Sequence, residues 1–342
     1  MDAKELRNRF TDYMRQQGYS KTPADSLVCD TFPTCFTISG GPNFVDRYLK
    51  GHQSSSENTV VIQRCHRFWD VEKVGDGKHL SAFEMAVTTS FNGYPREEMH
   101  RSHYKFLTEE CGLNTDFFTV TIFGGGKCYD AEFKADEEAM RIWKKLGIKR
   151  FSIQQGFGIS PYHKREVNAS FVANTVEPVG GPRTEIYYGD LEIWTSVNYC
   201  TFVEYKHNSN SFTFKPIDHH TFASGFGIER VVMAITGYKT IDEVVPSRHA
   251  ASPRVRDHVR GLVLLAHDGA FELHGSKNSS RKTILNRYVR SLFTSLVDPA
   301  LLSSLVAEST EFYKDELPTL DGKADEISDK ILARAGKLKI KL

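Results

Sequence analysis

Two β-rich segments separated by a polar, glycine-containing loop constrain what this chain can fold into. Residues 59–68 (TVVIQRCHRF) and 79–91 (HLSAFEMAVTTSF) flank the loop WDVEKVGDGK at 69–78. Arms of this composition predict a long antiparallel hairpin, and a loop of that length between strands is often functional. Side chains two apart on a strand share a face. Gln63, Cys65 and Arg67 therefore point one way on the first arm, and His79, Ser81, Phe83 and Met85 on the second. One surface then offers a cation, a polar ring and an aromatic platform. That set suits a nucleotide, with guanidinium on phosphate and an aromatic ring under the base. Spacing alone is met at least as well by a half-buried sheet with an ordinary core Phe and an exposed Arg.

Two further stretches carry chemistry. In SGFGIER (224–230), Gly225 and Gly227 permit close backbone approach where a strand enters a helix, and Arg230 lies about one turn inside. A helix start of this kind presents free N–H groups and the positive dipole end, an anion site in outline. A plain helix cap has the same pattern. In TEIYYGDLEIW (184–194), Glu185 and Glu192 are candidate ligands for magnesium bridging ATP phosphates. Solvated strand carboxylates are the alternative.

The rest of the chain frames these motifs. Leu6, Phe10, Tyr13 and Met14 recur at helical spacing, with Asp2 and Glu5 at capping-box spacing and Gly18 as the stop. A helix is expected from about Glu97, a strand over 117–123, and a helix from Asp136 ending at Gly147. Strands and glycine- or proline-rich loops fill 150–226, and a helix starts near Gly227. Beyond Pro253 the pattern is helical, over roughly 254–267, 281–296, 299–313 and 323–335, so VVPSRHAASP (244–253) reads as a linker. The 342 residues thus divide into 1–248 and 249–342.

With 40% hydrophobic and 25% charged residues the composition is that of an ordinary globular protein, and a net charge of +1 announces no nucleic-acid partner by bulk electrostatics. Cys29, Cys35, Cys65, Cys111, Cys128 and Cys200 are scattered without a C-x-x-C pair, which predicts reduced thiols rather than a disulfide frame or zinc site. The charged N-terminus lacks an apolar signal core, and no apolar run is long enough to span a bilayer. The expectation is a cytoplasmic protein without a membrane partner.

Together the motifs resemble a class II aminoacyl-tRNA synthetase core. Arg67, then His79-Leu-Ser-Ala-Phe83 after the loop, is similar to that class's second motif, and Gly225-Phe-Gly-Ile-Glu-Arg230 to its third. Residues 62–92 closely resemble the alanyl-tRNA synthetase family, especially its archaeal form, which shows Q-x-C-x-R, D-x-x-x-V-G, G-R-H and F-E-M in this order. EEAMRIWKKLGI (137–148), GGP-x-x-EI (180–186), LEIWTSV (191–197) and the segments 254–271 and 278–290 are similar to that family too. The resemblance implies an α+β fold, a class II synthetase-type antiparallel sheet flanked by helices, followed by a C-terminal helical domain like the start of the family's tRNA-binding region. It implies ATP-dependent activation of an amino acid or related carboxylic acid as an acyl-adenylate, with ATP and Mg2+ bound. Arg67 would hold the α-phosphate and the activated carboxylate, Phe83 would stack on adenine near His79 and Met85, and Arg230 would contact the γ-phosphate, beside Gly225 and Gly227. Glu185 and Glu192 would serve the metal side.

The chain also departs from that family. Where the alanine enzymes have Val-Asp-Thr-Gly, with the Asp receiving the substrate ammonium, this chain has Phe222-Ala223-Ser224-Gly225. A cation left unpaired in a closed site is costly, so Glu177 or Glu204 would have to take over, or the acid lacks an α-amine or carries it elsewhere. A family Trp near the side-chain pocket falls at Val172, which enlarges the pocket, and NYCT (198–201) looks displaced. The expected amino-acid pocket is thus Val172, Glu204, Ala223 and Gly225. The family continues into further tRNA-recognition helices, a zinc-containing editing domain and an oligomerising tail, none of which is expected here, nor is zinc. The acyl acceptor is expected to be a small molecule, a carrier protein or tRNA. Arg281, Lys282, Arg287 and Arg290 offer one basic helix face to a tRNA, or are simply solvated. The alternatives are a minimal alanyl-tRNA synthetase and a non-catalytic binder of tRNA or a partner.

Overall fold

The computed structural model describes residues 1–49, 58–91, 94–159, 166–245, 247–296, 298 and 300–340. The chain forms two compact units. The first comprises Met1–Ala24, Ser39–Gln63 and Met85–Gly237. It opens with α1 (Ala3–Gln16), where Asp2 accepts the Glu5 N–H at 2.8 Å and Leu6, Phe10 and Met14 are buried. Next come β1 (Ser20–Lys21), α2 (Gly41–Leu49), β2 (Thr59–His66), β3 (Ala82–Ser90) and α3 (Arg96–Lys105). β4 (Phe118–Phe123) precedes a small hairpin of β5 (Gly126–Cys128) and β6 (Ala131–Phe133), and α4 (Glu137–Lys145) leads to β7 (Phe151–Gln154). A second small hairpin, β8 (Gly158–Ile159) with β9 (Glu166–Val167), is followed by β10 (Phe171–Val172). Three long strands, β11 (Val179–Tyr188), β12 (Leu191–Lys206) and β13 (Ser211–Gly227), then feed α5 (Ile228–Thr236).

Among the described residues nine strands form one sheet in the order β1-β2-β3-β13-β12-β11-β4-β7, with β10 also on β11. The ladders from β3 through β13, β12 and β11 to β4 are antiparallel, while β4–β7 and β1–β2 are parallel. Helices flank the sheet on both faces. Trp194 and Phe226 turn to one side, where Trp194 meets Trp143 at 5.3 Å and Phe226 meets Phe10 at 4.9 Å. Val197, Tyr199 and Ala223 turn to the other and pack with Val45 of α2.

The second unit comprises Asp25–Ile38, Arg64–Glu84 and Tyr238–Leu342. Its helices are α6 (Pro253–His267), α7 (Ser279–Ser295), α8 (Leu301–Tyr313) and α9 (Ala324–Lys337). Ser252 caps α6 through the Val255 N–H and Pro253 occupies its first turn, where a missing N–H costs nothing. Leu262, Leu265, Leu285, Val289 and Ile331 form the core, joined by Leu27, Phe36 and Val71. The units interleave along the chain, whereas the sequence reading draws a single cut at 248/249. In the expected linker, Pro246 lies outside the described residues.

One local expectation is corrected. The second arm of the hairpin enters the sheet at Ala82, not at His79. The Asp76 carboxylate accepts the N–H groups of Lys78 (2.8 Å) and His79 (2.9 Å), a turn that competes with strand formation. His79 and Ser81 therefore do not share a strand face with Phe83.

Candidate functional site

In the second unit, Arg67 follows the last residue of β2, and its N–H bonds the Ser81 carbonyl at 2.9 Å. That pairing sets Arg67 beside Phe83 on β3, with the guanidinium carbon 4.7 Å from the ring centroid. Its Nε also donates to the Ile38 carbonyl at 3.1 Å. A held guanidinium above a half-buried aromatic ring offers charge for phosphate and a face for a base. His79 belongs to the adjoining loop, its Nδ1 2.6 Å from Asp76 Oδ2. Burial opposes ionisation of Asp76, but the Lys78 and His79 N–H groups and the His79 ring hold its carboxyl below the ordinary value.

In the first unit, the structure brings Glu185, Glu192 and Arg230 together. Arg230 Nη1 lies 2.9 Å from Glu192 Oε2. Glu185 is 6% exposed, with Arg183 Nε at 3.2 Å and the Tyr187 hydroxyl donating at 3.1 Å. Burial pushes the Glu185 carboxyl up; Arg183 opposes this and the Glu192 charge adds to it. Two mutually repelling carboxylates are hard oxygen donors that fit a magnesium ion also held by phosphates. Among the described residues no set of three metal-ligating side chains converges. Arg183 and Tyr187 were not foreseen, although their alternation with Glu185 on β11 was the available signal.

Met85 is buried in β3 opposite Gly227, which is the N-cap of α5. Gly225 sits where a Cβ would meet the Ala86 carbonyl oxygen at 2.3 Å, so no side chain fits between β13 and β3. Val172 and Ala223 fall in one buried apolar cluster with Val45, Val179, Val197, Tyr199 and Ile217. Gly41, at the start of α2, lies on top of Ala223: a Cβ there would approach Ala223 Cβ to 2.6 Å. The space beside Ala223 is therefore filled by backbone. Sequence reasoning missed Gly41 and Tyr199, which only chain folding brings to Ala223. Burial, then the Glu177 charge, pushes the Tyr199 hydroxyl well up. Glu204 is not brought in. It pairs with Thr213, seven residues along β12 from the Ala223 partner Val197, a strand distance of roughly 20 Å. The β12–β13 ladder slips between Tyr199 and Thr201, within NYCT.

The basic face expected on α7 is corrected at one position. Arg281 is 6% exposed and turns inward, donating to the carbonyls of Cys35 (2.8 Å), Phe32 (2.8 Å) and Cys29. Lys282 and Arg290 bond the carbonyls of Gly275 and Leu338, and Arg287 pairs with Glu72 at 3.0 Å. No helix among the described residues is long and apolar enough to cross a membrane.

Comparison with known proteins adds the family. The profile described as "tRNA synthetases class II (A)" matches residues 5–243. The alanine–tRNA ligase of Rubrobacter xylanophilus is 27% identical over 337 residues, covering 85% of this chain and 36% of that protein. The alanine–tRNA ligase of Treponema pallidum is 26% identical, covering 96% of this chain and 59% of the relative. The chain thus spans less than two thirds of the length of these relatives. A solved pyrrolysyl tRNA synthetase from Desulfitobacterium hafniense aligns over 71% of this chain and 70% of its own at 17% identity, with a TM-score of 0.33, too loose a superposition to carry an argument. By the profile match, which spans most of the sequence, this chain belongs to the class II (A) family of tRNA synthetases.

Proposed function

We propose that the chain is an ATP-dependent ligase that activates a carboxylic acid as its adenylate and passes the acyl group to a small molecule or carrier protein. The observation that carries this reading is the Arg67–Phe83 pair, a guanidinium fixed over an aromatic ring within the span the family profile covers. In this reading the acid carboxylate attacks the α-phosphorus in line, the bond to the bridging oxygen breaks, and pyrophosphate leaves. No side-chain nucleophile is needed; the protein supplies positioning and charge neutralisation. Arg67 holds the α-phosphate, Phe83 the adenine, and Arg230 the γ-phosphate, released from Glu192 as it does so. Magnesium, when bound at Glu185 and Glu192, neutralises phosphate charge.

The chain is best read as a paralogue of the alanyl-tRNA synthetases whose acid differs from plain L-alanine. Ala223 offers no carboxylate, and Gly41 leaves no space beside it for an ammonium. An acid without an α-ammonium, or with its amine displaced, is favoured.

ATP–pyrophosphate exchange across a panel of acids tests this. Some acid other than L-alanine should give the faster exchange. Arg67→Ala and Arg230→Ala should each raise the barrier by about 2–4 kcal/mol. Phe83→Ala should weaken ATP binding by roughly 1–3 kcal/mol, as for base–aromatic stacking elsewhere. Near-normal exchange in both Arg variants would sink the assignment, and charging of tRNA with L-alanine at the best rate would make the chain a minimal alanyl-tRNA ligase.

A further inference from the structure

We propose that Asp257 is a positioning residue that sets Arg67 and Phe83 for the nucleotide; this rests on the adenylate-forming reading above. Asp257 lies on α6 and is 2% exposed. Its Oδ1 accepts the N–H of Ser81 at 3.0 Å and of Ala82 at 3.4 Å, and its Oδ2 accepts the Ser81 hydroxyl. Arg260, one turn further along α6, lies 3.6 Å from the same carboxylate and donates to the Ala82 carbonyl at 3.0 Å. The Ser81 carbonyl is taken by the Arg67 N–H. The two residues before Phe83 thus have all four backbone polar groups engaged, three of them by one turn of α6.

The other arm meets the same hub. The Tyr288 hydroxyl of α7 is 2.5 Å from Ser81 Oγ and 3.5 Å from Asp257 Oδ2, and its ring packs edge-on against His66 at 4.6 Å. His66 is the residue before Arg67, and its N–H is held by the Thr37 carbonyl at 2.7 Å. His258 closes the network, with Nδ1 3.2 Å from Asp257 and Nε2 2.9 Å from Ser291 Oγ. The hub therefore grips the residue preceding each half of the Arg67–Phe83 pair. A carboxylate accepting several buried donors is lost only at the cost of leaving them unpaired. Its loss frees the backbone from which both side chains project.

The test is equilibrium binding of radiolabelled ATP with magnesium to the full chain, which needs no knowledge of the acid. Asp257→Asn should weaken ATP binding roughly tenfold, since small misplacements of binding groups are that costly. In an Arg67→Ala/Phe83→Ala background the same substitution should change affinity by less than about twofold, because coupled sites are not additive. An unchanged dissociation constant, or an equal loss in both backgrounds, overturns the proposal; a substitution that merely softened the fold would lower the melting temperature without that coupling. Should Asp257→Asn fail to fold, Ser81→Ala serves: it removes one donor of the hub and should weaken ATP binding in the same coupled manner, and an unaltered affinity there overturns the proposal. Wild-type protein that binds no ATP refutes the adenylate-forming reading itself, whereas wild-type binding with indifferent Asp257 and Ser81 variants refutes this inference alone.

Discussion

At the scale of single residues, Glu185 is held in a state that folding disfavours. Burial raises its affinity for a proton despite Arg183, and Glu192 adds repulsion. A carboxyl that binds its proton more tightly folded than unfolded contributes stability below its ordinary pKa and loses it as pH rises through the raised value. Glu185→Gln should therefore raise the melting temperature at neutral pH and leave it nearly unchanged near about pH 4, where the unfolded carboxyl is itself largely protonated. Exchange activity should fall if Glu185 serves the phosphates. Melting curves of both proteins at the two pH values decide it, and identical shifts at both would contradict the burial argument. Gly41 makes a second prediction. A methyl there collides with Ala223 Cβ at 2.6 Å, and neither atom is the end of a flexible chain. Gly41→Ala should cost about 1–3 kcal/mol, as overpacking does, measured by urea unfolding, and Ala223→Gly in the same chain should recover part of it.

At the scale of elements, α7 carries its charges differently from what periodicity suggests. Spacings of three and four place Arg281, Lys282, Arg287 and Arg290 near one face, yet Arg281 is buried against the loop of Asp25–Ile38. Removing a charged donor from several carbonyls leaves them unsatisfied, so Arg281→Ala should destabilise the fold on the order of 3 kcal/mol. Calorimetry or denaturant unfolding reads this; a variant as stable as the parent would show that those carbonyls find water instead. The helices α6 to α9 themselves were legible to within a few residues, because apolar spacing and caps such as Ser252–Pro253 act over a single turn. The start of β3 was not, because Asp76 captures the approach to it.

At the scale of the whole molecule, net charge is +1, so bulk charge draws no polyanion, and on α7 Arg281 is buried while Arg287 is paired with Glu72. Binding to bulk tRNA should be weak and should vanish between about 50 and 200 mM salt, the dependence that phosphate contacts impose. A filter-binding titration across that range checks it, and affinity that persists at the upper end would restore tRNA as the acceptor.

The sequence by itself determined the helices other than α2, the β-rich arms and the order of Arg67, Phe83, Glu185, Glu192 and Arg230 along them. Those features follow from period-2 and period-3.6 patterns and from motifs a few residues long. The adjacency of Arg67 and Phe83 was readable because a hairpin pairs its own arms. Tertiary structure alone decided that Gly41 covers Ala223, that Glu204 lies far along β12, that Arg281 faces inward and that Asp257 reaches Ser81. Each joins or separates residues through the folded path rather than local spacing, and many residues compete for every such contact. Which pair wins is set by packing and by the need to satisfy buried polar groups across the whole unit, and short-range periodicity carries no record of that competition.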